Sequence, residues 1–208
     1  MTAQAQLNSR ADEIFTGLWA SLFYGPVEPP KAVVVCSTNH KEGATAVSAG
    51  LALAGSAAYA DASSEPSGGP KERVALVDFN MRSPAVHKYF DMNESPGVCE
   101  AVLGERTLDE AARPVGPGGL DVVPVGAKRE RLLELLRTDR VRDFLESLQN
   151  QYARIVIDAP PANQYPDARV LSEVVGACVL VAQSQRTSRE ALLQARKRIE
   201  MGNARVAG

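Results

Sequence analysis

The chain has 208 residues, of which 45% are apolar and 23% charged, with a formal net charge of -2. A chain of this length buries a sizeable core, and its charge balance gives no reason to expect nucleic acid as the main partner, which usually selects a strongly basic face. No apolar run approaches the roughly 20 residues that cross a bilayer, and the first residues lack a charged-then-apolar leader pattern, so a soluble cytosolic chain is expected, reaching a membrane only through a partner.

Apolar residues at three- and four-residue steps (Ile14, Phe15, Leu18, Trp19, Leu22) predict a helix over about 11–23. Gly25-Pro26 and Pro29-Pro30 then interrupt the chain. The run Ala32–Cys36 reads as a buried strand, and a polar loop from Ser37 to Gly43 leads into an alanine-rich helix over 44–59. After a surface loop rich in Ser, Pro and Gly (61–70), Val74–Val77 forms a second buried strand ending at Asp78. Short helices are expected near 86–90, 97–103 and 108–112, and a strand over 120–125. The charged stretch 129–151 has helical period. The clearest strand, 154–157, ends in Asp158-Ala159-Pro160-Pro161; a helix (168–175), a strand (177–182) and a last helix (188–201) follow. Alternating helices and wholly apolar strands predict an α/β fold with a mostly parallel sheet covered on both faces. Residues 1–30 are expected to form a helix and linker belonging to the same unit as a single domain over 31–208.

The three cysteines, Cys36, Cys99 and Cys178, are odd in number and lack metal-ligand spacing; they are expected to be free buried thiols. His40 and His87 have no histidine or cysteine at ligand spacing either.

Three of the strands end in polar segments, as ligand-binding strands do in open α/β sheets. The first, Asn39-His40-Lys41-Glu42-Gly43-Ala44-Thr45, lies between strand and helix. A phosphate-binding loop needs glycine for its turn, a lysine for the outer phosphates and Ser/Thr for Mg²⁺. Gly43 and Thr45 meet two of these needs; Ala44 stands where the lysine belongs. A plain turn before a helix is the alternative. Asp78 and Asp158 end the other two strands. Buried carboxylates there suit a Mg²⁺-nucleotide site, or else cap the turns that follow.

Taken together, these segments resemble the cytoplasmic domain of bacterial tyrosine kinases (BY-kinases) of the CpsD/Wzc type, relatives of the MinD and ParA P-loop ATPases. Asp78, Asn80, Arg82, Pro84, His87 and Phe90 resemble the family's Walker A′ motif and the spacing after it. Ile155–Pro161 resembles the Walker B strand, Asp167-Ala168 the segment following it, and Thr187–Ala191 the start of a late helix. The resemblance spans nearly the whole chain and implies a P-loop NTPase-like fold. It also implies a nucleotide loop over 39–45, metal-organising residues Thr45, Asp78 and Asp158, with Asp78 as a candidate base, and a membrane polysaccharide co-polymerase (Wzz/CapA-like) as partner.

By the family's pattern, Ala44 replaces the loop lysine, Lys41 a glycine, His40 a proline, and Asn80 the second aspartate of Walker A′. Thr16 and Trp19 stand where the N-terminal helix carries arginines used in ring assembly. The C-terminal tyrosine cluster is missing; Tyr24, Tyr59, Tyr89, Tyr152 and Tyr165 are scattered. The expectation is therefore a pseudokinase of exopolysaccharide synthesis and export, with Mg-ATP or Mg-ADP bound weakly or not at all, and homo-oligomerisation left open. It would be cytoplasmic, at the inner face of the membrane through its partner. The alternatives are an active tyrosine kinase or ATPase in which Lys41 supplies the amine, and a MinD/ParA-like positioning module.

Overall fold

The computed structural model describes residues 9–25, 28–62, 73–116, 118–127, 136, 139–202 and 204–208. Seven strands form one sheet in the order β3-β4-β2-β5-β1-β6-β7. They are β1 (Ala32–Ser37), β2 (Val74–Asp78), β3 (Arg113–Val115), β4 (Leu120–Val123), β5 (Arg154–Ala159), β6 (Ala177–Val181) and β7 (Arg205–Val206). All pair in parallel except β3, which runs antiparallel to β4. The helices are α1 (Ser9–Phe23), α2 (Ala44–Ala62), α3 (Val86–Tyr89), α4 (Val98–Leu103), α5 (Leu108–Ala111), α6 (Asp139–Gln151), α7 (Asp167–Val175) and α8 (Arg189–Glu200).

The apolar strands take the middle of the sheet because both of their faces are covered. β1 and β2 are buried along their whole length. Two apolar layers result. One packs Val34, Val77 and Ile157 against Phe144, Leu148 and Leu171. The other packs Val33, Val35, Leu76 and Val156 against α1 and α2, through Trp19, Phe23, Leu51 and Ala52.

Two glycines of α2 let α1 come close. A Cβ at Gly50 would lie 2.4 Å from the Phe15 ring, and one at Gly55 would lie 2.3 Å from the Trp19 ring. Trp19 also stacks with Phe23 at 4.2 Å between centroids. Trp19 is therefore an interior residue, 1% exposed. The expected apolar stripe holds at Trp19 and Leu22 but not at Ile14, which is 63% exposed on the helix flank.

Elsewhere the sheet departs from the sequence expectation in two places. β3 was not foreseen, being three residues long with a proline at its centre, a composition that only a sheet edge accepts. The strand expected over 120–125 ends at Val123, because Pro124 and Val125 turn to accept the amides of Val98 and Cys99 at the start of α4. The helix expected over 129–151 is described from Asp139 onward; positions 128–135 lie outside the described residues. No helix among the described residues is long and apolar enough to cross a membrane.

Candidate functional site

Because β1, β2 and β5 run in parallel, their polar ends meet on one edge of the sheet. Asp78 and Asp158 are direct register partners, and both are fully buried. Asp78 accepts from the amides of Asn80 (2.9 Å) and Val86 (3.3 Å). Asp158 accepts from Thr45 Oγ1 (2.7 Å) and Ser48 Oγ (3.0 Å). Thr45 belongs to the first turn of α2, so this bond seats the loop after β1 directly over β5.

Burial, and next the charge of Asp158, raise the Asp78 carboxyl well above the usual carboxylate range despite its amide donors. Burial also raises Asp158, to about 6, against the pull of the Thr45 and Ser48 hydroxyls. Two carboxyls this close resist joint ionisation unless a cation or proton lies between them. Among the described residues no group of three His, Cys, Asp or Glu side chains gathers. Two carboxylates with a threonine hydroxyl nonetheless fit Mg²⁺, which keeps most of its shell as water and phosphate oxygen. Asp78, Asp158 and Thr45 are the residues that would hold it.

The loop bends sharply through two left-handed residues. Lys41 has φ 62° and Gly43 φ 93°, left-handed conformations that glycine tolerates and lysine adopts at a cost. A Cβ at Gly43 would meet nothing within 4 Å. His40 and Lys41 are exposed rather than packed shut, and Ala44 is buried at the start of α2. Glu42 holds the loop from behind. It accepts from the Asn39 amide (2.8 Å), Asn39 Nδ2 (3.2 Å) and Thr187 Oγ1 (2.6 Å). Thr187 Oγ1 in turn accepts from the Gln183 amide at 2.9 Å, tying the loop to the segment after β6.

All nine residues singled out by sequence (39–45, 78 and 158) thus lie at this edge of the sheet, and Thr45 joins Asp158 directly. Several participants escaped sequence reading. Ser48 follows Thr45 by three residues on one helix face, a spacing that signals a shared target. Thr187 is 145 residues from Glu42 and carries no such signal. Tyr165 stands between loops: His40 meets its ring edge-on at 5.9 Å, and the Arg82 guanidinium lies 4.5 Å from the ring centre. Arg82 also faces the buried carboxylate of Asp167 at 3.6 Å. Directly beneath the loop, Cys36 and Cys178 bring their sulfurs to 3.7 Å; all three cysteines are free and buried.

No family model matches the chain. A putative tyrosine-protein kinase, CapB of Staphylococcus aureus, is 24% identical over 201 residues, covering 96% of this chain and 83% of that protein. Several other curated tyrosine-protein kinases match over 137 residues, and the chain spans only about a fifth of their length. The crystal structure of the chimerical protein CapA2B2 superposes with a TM-score of 0.86 at 24% identity, over 99% of this chain and 85% of that one. A ParA-family ATPase from Chlorobium tepidum shares the fold, with a TM-score of 0.61 at 18% identity over 83% of this chain and 66% of that one. Sequence likeness along the chain and likeness of fold converge: this protein is similar to BY-kinase cytoplasmic domains and has the P-loop ATPase fold of the ParA/MinD type.

Proposed function

We propose that this chain is a BY-kinase-like pseudokinase with a degenerate Walker A loop. It regulates exopolysaccharide or capsule synthesis and export through a membrane co-polymerase, at the inner face of the cell membrane. The observation that carries the reading is Ala44. Its methyl group sits buried at the head of α2 where the loop's ammonium would arise, in a turn that otherwise keeps its shape. The likeness to CapA2B2 supports a CapA-like partner.

Each part of the site has a remaining task. The loop amides and the start of α2 can receive phosphate oxygens. Thr45, Asp78 and Asp158 would hold Mg²⁺, whose charge offsets that of the phosphates when bound. Glu42 keeps the loop in register with the segment after β6. A fixed positive group for the transferring phosphoryl is what the loop lacks. Losing one such preorganised group costs about 3–4 kcal/mol, or two to three decades in rate.

The test is an assay of the isolated chain with Mg-ATP. Phosphotyrosine should be absent and hydrolysis near background, and Ala44→Lys should raise hydrolysis at least tenfold. Brisk turnover by the unaltered chain would refute the proposal. A second reading keeps the chain active through Lys41, whose exposed side chain starts from a left-handed turn of the loop. Under that reading any turnover must vanish in Lys41→Ala.

A further inference from the structure

Four side chains beside the loop have no task in the reading above: His40, Arg82, Tyr165 and Asp167. They come from three different segments, the loops after β1 and β2 and the connection from β5 into α7. Tyr165 is the hinge pin between them, touching His40 on one side and Arg82 on the other. Asp167 is wholly buried, and neither carboxylate oxygen has a hydrogen-bond partner among the described residues. Its counter-charge is Arg82, at 3.6 Å. The arginine is thus fixed at two points, by an aromatic face and by a buried anion, while its side chain stays 31% exposed.

A guanidinium has five donors in a rigid fork. Stacking on Tyr165 uses its face, and Asp167 engages one end. Among the described residues Arg82 makes no other hydrogen bond or ion pair, so donors remain for a ligand. The loop amides and the α2 start would hold the inner phosphates of a nucleotide. The outer end would then face the loops after β2 and β5, where Arg82 is shelved.

We propose that Arg82, held on Tyr165 and Asp167, binds the terminal phosphate of a nucleoside triphosphate and makes this site discriminate triphosphate from diphosphate. The inference rests on the reading that the degenerate loop still takes nucleotide. It assigns the missing positive charge to a different element of the fold. Arg82 serves there as a specificity group that senses the bound state, whether or not chemistry follows.

The test is calorimetric titration of the full chain with Mg-ADP and with a Mg-bound non-hydrolysable ATP analogue. The unaltered chain should prefer the triphosphate by about tenfold, the usual worth of one charge-assisted hydrogen-bonded contact. Arg82→Gln should abolish that preference while ADP affinity stays within about twofold. Because Arg82→Gln alone strands the buried Asp167, the paired variant Arg82→Gln with Asp167→Asn is measured alongside it and should behave in the same way. The proposal fails if neither nucleotide binds, if the unaltered chain shows no preference, if the preference survives in the variants, or if both affinities fall together. Turnover and phosphotyrosine are scored separately, so an active chain would overturn the pseudokinase reading while leaving the Arg82 result interpretable.

Discussion

Asp158 carries a pH signature that a caliper on its carboxyl would not reveal. Its folded value of about 6 lies above the ordinary 3.8, so the folded chain binds the extra proton. The stability from that proton is fully present below about pH 4 and is lost as pH rises through about 6. Asp158→Asn should therefore be more stable than the unaltered chain at pH 8, by about 2–3 kcal/mol, with the gap closing near pH 4. Urea titrations at the two pH values measure it. Mg²⁺ held by the same pair would stabilise the chain more at pH 8 than at pH 5, read as a thermal midpoint shift at fixed Mg²⁺ concentration. At the back of the loop, Glu42→Ala removes the acceptor for Asn39 and Thr187. It should cost about 1–3 kcal/mol and speed amide exchange at Asn39, which hydrogen-exchange spectroscopy would detect.

The α1–α2 contact makes a sharper prediction for a whole element. Gly55→Leu would drive a side chain into the space of the Trp19 ring, and the ring cannot yield without α1 moving away. Trp19 is the only tryptophan, so its emission should shift to longer wavelength as the helix lifts. Trp19→Ala should cost about 3–5 kcal/mol by leaving a cavity instead. The stripe that marks α1 as amphipathic was legible in sequence, since the three- and four-residue steps identify Trp19 and Leu22. What lay outside that reading is which flank faces α2, because Gly50 and Gly55 announce nothing by themselves; their meaning comes from the rings they admit. Likewise Arg113-Pro114-Val115 has no strand signature, and becomes a strand only because β4 offers it an edge.

Across the whole molecule, the parallel sheet was legible because Val33–Val35, Val74–Val77 and Ile155–Ile157 are apolar on both faces, which only a doubly covered sheet accommodates. Asp78 and Asp158 were legible for the converse reason, as carboxylates at the tips of such strands. The lateral ties were not. Glu42 reaches Thr187 across 145 positions, and Cys36 meets Cys178 across 142. No local pattern encodes such distances; they follow from β6 lying beside β1.

That adjacency gives the protein an internal clock. All three of its thiols are buried, two on the neighbouring strands β1 and β6 and Cys99 in α4. An alkylating reagent can tag them only when the chain momentarily opens. With slow reagent the tagging rate counts those openings, and peptide mapping dates each one to its sulfur. Cys36 and Cys178 should be marked together and last, since exposing them requires β1 to part from β6, which splits the sheet. Earlier marking of Cys99 would record α4 peeling away on its own.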